Sequence, residues 1–193
     1  VYRAMQLATS EPAGPVYLTG AREVLEENVE SLPNNWEKWS LIEKTTLPQS
    51  GFEELAHALT EAENPLVITT YLGRETEAVR ELIEFCERLA IPVVEQIPTY
   101  VNFPRNHPLH AGYDPNPFIQ QADVIVAIDT DVPWITTQVQ PKDDCSVYFI
   151  DLDPIKEDIP LWHIPAVKSY RADAYETLRQ LNAALSQKEL NEE

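Results

Sequence analysis

Val124–Asp131 reads VIVAIDTD and Val147–Pro154 reads VYFIDLDP, two apolar runs that each break off at acidic residues. A near-continuous apolar strand is what a parallel sheet covered on both faces requires. Upstream, residues 65–96 read strand, helix, strand. Leu66–Thr70 is the first strand. Arg74–Ala90 places Ala78, Val79, Leu82, Ile83, Cys86, Leu89 and Ala90 at helical spacing, and IPVVEQ at 91–96 is the second strand. Such alternation continues to the C-terminal region and predicts an α/β, doubly wound, mostly parallel Rossmann-like sheet with helices on both faces.

Around this centre the rest of the chain falls into pieces. Residues 2–9 predict a short helix, and Val16–Leu18 a short strand with no strand–helix partner upstream. Residues 1–20 therefore read as the end of a preceding domain. Residues 21–50 read as a linker, with Pro33, Asn34, Asn35 and Pro48 breaking periodicity and Trp36 and Trp39 expected to pin it to a surface. Ser50 and Glu53 have capping-box spacing at the start of a helix whose apolar stripe is Phe52, Leu55, Ala56 and Leu59. Residues 51–185 form the central domain. Within it, Phe118–Ala122 predicts a short helix, Ala166–Ser169 a last strand and Ala172–Leu185 the closing helix. Residues 186–193 read as a polar, frayed tail.

The bulk composition excludes several functions. A chain of 193 residues with formal net charge −18 repels phosphate backbones and anionic lipid, which argues against nucleic acid as a partner. No run approaches the roughly 18 apolar residues that a membrane span needs. The first residue is Val1 and no signal peptide precedes it, so the sequence reads as a piece of something longer, from an intracellular setting: the cytoplasm, with an organelle left open. Cys86 and Cys145 share no metal-ligand spacing, and Cys86 falls on the apolar face of its helix. His107, His110 and His163 likewise match no zinc motif, and His57 reads as a surface residue.

Candidate binding residues lie where the strands end. In dinucleotide folds, the turn after the first strand carries glycines so that backbone amides can approach a pyrophosphate. Here the turn is TTYLGR at 69–74, with Gly73 the one glycine and Tyr71 and Leu72 crowding the approach. Thr70, Gly73, Arg74, Asp129 and Asp151 are the residues that a nucleotide would meet. The pairs Asp129/Asp131 and Asp151/Asp153 could take ribose hydroxyls or a hard cation, but at strand ends carboxylates more commonly form turns and helix caps.

Several segments together carry a resemblance. ENPLVITT at 63–70, AVRELIEFCERLAIPVVE at 78–95, NHPLHAGY at 106–113, ADVIVAIDTDVPW at 122–134, VYFIDLDP at 147–154 and ADAYETLRQL at 172–181 resemble, in order and spacing, the central domain of thiamine-diphosphate-dependent enzymes of the acetolactate synthase type. Residues 1–20, with RAMQLATSEPAGPVYLTG at 3–20, resemble the end of that family's pyrimidine-binding domain. The resemblance implies a six-stranded parallel sheet and a three-domain whole protein acting on 2-oxo acids by decarboxylation and carboligation. It implies thiamine diphosphate and Mg²⁺ held by the flanking domains, across a homodimer or homotetramer. The activating glutamate and the Gly-Asp-Gly motif of the family would lie outside residues 1–193, so no residue of this chain is expected to be catalytic, and neither thiamine diphosphate nor metal is expected to bind it. FAD-binding relatives have glycine-rich sequence where this chain has TTYLGR, and glycine and arginine where it has DTDVPW at 129–134. Both departures argue against FAD. The alternative reading is a nucleotide-binding module for FAD, NAD or ADP. A deacetylase on a related sheet would need a histidine in a glycine-rich setting, which is absent.

Overall fold

The protein was described from a computed structural model covering residues 1–31 and 36–192; the side chains of Trp36 and of 187–192 are outside the description. The linker reading at Pro33, Asn34 and Asn35 and the pinning role of Trp36 lie outside the described residues. The chain divides into two compact units, Val1–Lys44 and Thr45–Glu193.

The first unit contains helix α1 (Tyr2–Thr9), as its periodicity predicts, and a four-residue helix α2 (Arg22–Leu25) that the linker reading missed. Val16–Leu18 is not a strand. Among the described residues it pairs with nothing in a ladder, and Tyr17 is 90% exposed. A strand needs a neighbour to take its backbone groups, and none of the described residues of this unit does so.

The second unit is the α/β domain. Its elements are α3 (Gln49–Glu61), β1 (Pro65–Thr69), α4 (Thr76–Leu89), β2 (Val93–Glu95), α5 (Asn116–Ile119), β3 (Val124–Ile128), β4 (Ser146–Asp151), β5 (Lys168–Arg171) and α6 (Ala174–Glu192). All pairings are parallel, in the order β2-β1-β3-β4-β5. Among the described residues five strands stand where six were expected. The sixth position, outside β2, is taken by Leu109–Gly112. The Val93 amide donates to Leu109 O, the Ala111 amide to Val93 O and the Glu95 amide to Gly112 O. This segment is reduced to a single bridge at His110, and the adjacent Pro108 has no amide to extend it.

Alternation along the strands sorts the core into two layers. Val67, Val93, Val126, Ile128, Tyr148 and Ile150 face α3, α4 and α6. Leu66, Ile68, Val94, Ile125, Ala127, Val147 and Phe149 face the other way. That second face is covered by α5 and by irregular chain bearing Trp134, Val139 and Ile164 rather than by long helices. Proline explains the difference: Pro115, Pro117, Pro133, Pro141, Pro160 and Pro165 punctuate these segments. Cys86 is fully buried on the inner stripe of α4, and burial pushes its thiol pKa up.

Element ends depart from the sequence reading at several places: α4 starts at Thr76 rather than Arg74, and α5 spans Asn116–Ile119 rather than Phe118–Ala122. α3 starts at Gln49 with Pro48 as N-cap and no side-chain cap, so the Ser50–Glu53 capping box does not form; Glu53 accepts a bond from Gln49 Nε2 at 2.8 Å instead. β5 begins two residues later than predicted. α6 runs through Glu192, so the expected frayed tail is helical over most of its length.

The C-terminus of α4 offers a direct test. Ala90 sits in the left-handed region at φ 53, ψ 38, and is exposed. Its methyl group pays the steric penalty that glycine avoids. Ala90→Gly is expected to raise stability by about 0.5–1 kcal/mol, net of glycine's greater unfolded-state entropy. A urea melt reads it: an unchanged or lower midpoint would contradict the cap assignment.

Candidate functional site

The chain passes from β1 to β2 on one side and returns to β3 on the other. The C-terminal ends of β1 and β3 therefore flank the switch point at which open α/β sheets take ligands. The structure brings Thr70, Gly73, Arg74, Asp129 and Asp151 together here, with Tyr71, Asn102, Thr130, Asp131 and Lys156.

Their polar groups are turned on one another. Thr70 Oγ1 and Thr130 Oγ1 lie 2.7 Å apart, bridging β1 and β3, and the amides of Thr70 and Tyr71 both donate to Asp129 O at 3.0 Å. Arg74 approaches the Asp129 carboxylate at 3.4 Å. The Tyr71 hydroxyl crosses to Asp151, donating to its carboxylate, and Lys156 Nζ donates to the Tyr71 oxygen at 2.7 Å. The same ammonium pairs with Asp151 at 3.0 Å and with Asp131 at 2.9 Å. Asp153 closes the β4 turn by giving its amide to Asp151 Oδ1 at 2.8 Å. Arg74 and Lys156 each lie 5.3 Å from the centre of the Tyr71 ring, within cation–π range.

A second hub folds the segment after β2 onto the turn. Buried Glu95 accepts from the Asn102 amide at 2.8 Å, from Asn102 Nδ2 at 3.1 Å and from the Phe103 amide at 3.3 Å, while its other oxygen pairs with His110 Nε2 at 2.9 Å. Asn102 in turn accepts the Gly73 amide at 2.8 Å and donates to Thr70 O at 3.0 Å. A Cβ on Gly73 would stand 2.1 Å from Val101 O. The glycine of this turn is thus required by the protein's own backbone.

This arrangement does not fit a diphosphate. The amide that would cradle one is bound to Asn102, Val101 occupies the approach, and carboxylates face the crevice. Tyr71 does lie in the crevice, whereas Leu72 is fully buried in the core below it. The segment 100–102, not a bulky turn side chain alone, fills the space. Sequence reasoning missed Asn102, Glu95 and Lys156. Glu95 was legible as a charged residue ending a buried strand; the other two sit in irregular chain with no spacing signal.

Electrostatics follow from burial. Burial raises the Tyr71 phenol far above its ordinary value, and the Asp151 charge and hydrogen bond add to this. Asp129 is pushed up to about 7: burial is the main cause, Arg74 and Lys156 oppose it, and Asp151 and Asp173 reinforce it. Its backbone is also left-handed, with φ 46; Ile97 at φ 45 and Lys156 at φ 47 are the neighbouring examples. The sign of the pH effect is fixed. With a folded value of about 7 against 3.8 ordinarily, Asp129 holds a proton in the folded state that the unfolded chain has released. That contribution is fully present below pH ~4 and is lost as pH rises through ~7. Asp129→Asn, which tolerates the left-handed backbone, is expected to flatten the stability–pH curve over this window by on the order of 1 kcal/mol per pH unit. Denaturant titrations across pH 4–8 check it; parallel curves for the two proteins would refute the assignment.

The histidines are dispersed. His107 pairs with Glu87 at 3.0 Å, His110 with Glu95, and His163 with Thr136 at 3.1 Å, while His57 is exposed. Among the described residues no group of three His, Cys, Asp or Glu side chains could hold a metal ion, and no helix is long and apolar enough to cross a membrane.

Fold and site together define a doubly wound α/β domain whose ligand crevice is occupied by its own side chains. Residues 52–181 match the family described as thiamine pyrophosphate enzyme, central domain, and the chain belongs to that family. Among curated proteins it is similar to the acetolactate synthase large subunit of Buchnera aphidicola subsp. Schlechtendalia chinensis, 32% identical over 120 residues, covering 56% of this chain and 21% of that protein. The chain thus spans about a fifth of the curated relative's length. Its fold is that of a benzoylformate decarboxylase from Polynucleobacter necessarius (TM-score 0.71, 23% identity, 94% of this chain, 35% of that one). It is also that of a thiamine diphosphate-dependent 4-hydroxybenzoylformate decarboxylase from Rhodococcus jostii RHA1 (0.71, 18%, 95% and 36%). A putative thiamin diphosphate-dependent enzyme from Mycobacterium smegmatis shares it as well (0.65, 21%, 94% and 36%).

Proposed function

We propose that this chain is the structural middle domain of an acetolactate synthase-like enzyme that decarboxylates a 2-oxo acid and joins the product to a second carbonyl compound. Thiamine diphosphate supplies the electron sink in such chemistry. In this reading the cofactor and its Mg²⁺ belong to flanking domains of the same polypeptide, residues 1–20 are the end of one of them, and the whole protein works as a dimer or tetramer inside the cell. The observation that carries it is the crevice. A family member whose strand-end carboxylates pair with its own cations, as Asp129 does with Arg74 and Asp151 with Lys156, has a bridging role open to it. Nucleotide binding would need the Asn102–Gly73 and Lys156–Asp151 contacts to be broken first.

Two measurements test this. The purified chain, given pyruvate, thiamine diphosphate and Mg²⁺, is expected to show no turnover, whereas the full-length polypeptide is expected to release CO₂ from a 2-oxo acid. Turnover by the chain alone would overturn the division of labour. Calorimetry with FAD, NAD and ADP is expected to show no micromolar binding; micromolar binding of any of them that is lost in Arg74→Ala would promote the nucleotide-module reading instead.

A further inference from the structure

Two uncharged segments meet beyond the ends of β3 and β4. Residues 132–141, after β3, and 159–167, after β4, contain no Asp, Glu, Lys or Arg, in a chain of net charge −18. Between them opens a cavity of ≈ 170 Å³ walled by Val132, Ile135, Ile159, Pro160, Trp162 and Ile164. Its walls are tied to each other and to the sheet. Trp162 Nε1 donates to Asp131 O at 2.6 Å, the Trp162 ring meets Phe149 edge-on with centroids 5.3 Å apart, and His163 Nε2 lies 3.1 Å from Thr136 Oγ1. The cavity is therefore preformed, which spares an occupant the cost of ordering it.

A knob stands at the rim of this hole. The Trp162 amide bonds to Ile159 O at 3.3 Å and closes a turn with Pro160 second and Leu161 third. Leu161 has φ 59, and a positive φ at the third position after proline selects Gly or Asn. Here the residue is leucine, and it is 95% exposed. Two unfavourable terms thus fall on one residue: steric strain in the left-handed region and an apolar side chain left in water.

We propose that this face is an isologous contact in which Leu161 of each protomer enters the cavity of a second copy of this chain. Knob and hole share one turn, so a two-fold axis beside it satisfies both at once, the self-complementarity that a symmetric dimer requires. An apolar cavity of about 150 Å³ takes a benzene-sized group, so this one takes an isobutyl group. Interface centres are depleted of charge and enriched in tryptophan. Between two copies of net charge −18, an uncharged face is also where close approach meets least repulsion. Glu157 and Asp158 are exposed at its margin, so the contact tightens as salt screens like charges. It does not rest on the enzymatic reading, because one chain carries both halves of the contact.

Sedimentation equilibrium of the full chain from about 5 to 500 µM is expected to pass from the mass of one chain to that of two, with a Kd that falls ~3-fold or more between about 20 and 200 mM NaCl. Leu161→Asn is expected to weaken association at least ~100-fold, because a symmetric dimer loses the buried leucine twice. Its urea midpoint, read at low concentration, is expected to stay level or rise, since asparagine suits the left-handed backbone. Ile135→Trp, at a position 45% exposed in the cavity wall, fills the hole and is expected to weaken association as well. An equimolar mixture of the two variants is expected to associate more tightly than either alone, since a mixed dimer restores one knob in one open hole. A chain that stays monomeric at about 500 µM at both salt concentrations, as it would if the face served a different partner, overturns the proposal. So does a Leu161→Asn chain that dimerises like its parent, or a mixture that associates no more tightly than its components.

Discussion

Glu95→Ala is expected to lower the stability of the domain by about 3–5 kcal/mol, the range for stranding buried polar and charged groups without their partner. Glu95 is 3% exposed and is the acceptor for three donors of the segment after β2, and for His110. Alanine leaves the amides of Asn102 and Phe103 and the His110 imidazole without acceptors in a site that water does not reach. It also frees Asn102, whose side chain holds the Gly73 amide and Thr70 O. The effect should therefore spread from β2 to the turn after β1. Hydrogen exchange gives the decisive readout: the Gly73 and Asn102 amides are expected to lose protection by several orders of magnitude, while those of β4, on the far side of β3, change only with global stability. Glu95→Gln keeps an acceptor oxygen at the site and is expected to cost less than half as much. If alanine and glutamine variants melt together, the hydrogen-bond count is not what stabilises the segment.

The distribution of what could be read from sequence has a physical reason. β3 and β4 were legible because a strand buried on both faces must be apolar at every position, a constraint that VIVAI and VYFI satisfy almost without exception. α4 was legible because one amphipathic stripe serves one core layer. The marginal strands β2 and β5 were found, but β5 was placed two residues early. β5 has three exposed residues of four, so its sequence, KSYR, carries no burial pattern to fix its start. The sixth sheet position is filled by three backbone hydrogen bonds from a proline-rich segment, and backbone bonding leaves no mark in side-chain identity. The same holds for the crevice. Thr70, Gly73, Arg74, Asp129 and Asp151 are at strand ends, where topology alone converges them. Asn102 and Lys156 reach the crevice from irregular chain, 29 and 85 residues from Gly73 and Tyr71 respectively. The turn's side chains were read as crowding a phosphate, but the chain packed against Gly73 comes from elsewhere, from Tyr100–Asn102.

Lys156→Met is expected to cost as much as the loss of Glu95, and it discriminates between two accounts of the charged network. The ammonium is 4% exposed at its side chain, on a left-handed backbone, and meets Asp151, Asp131 and the Tyr71 hydroxyl within 3.0 Å. Removing it leaves Asp151, itself 3% exposed, with Tyr71 and the Asp153 amide as its remaining partners, and strengthens the field that already raises Asp129. Breaking a buried pair from one side costs about 3–5 kcal/mol because the surviving charge stays desolvated, whereas removing both partners is often close to neutral. The double variant Lys156→Met/Asp151→Asn is therefore expected to recover at least half of the single variant's loss. A non-additive cycle of this sign identifies the pair as a lock whose members are costly apart and nearly dispensable together. Additive losses would mean that Lys156 acts through its backbone geometry or aliphatic stem, and Lys156→Gly, which relieves the left-handed strain while deleting the stem, would then separate those two contributions.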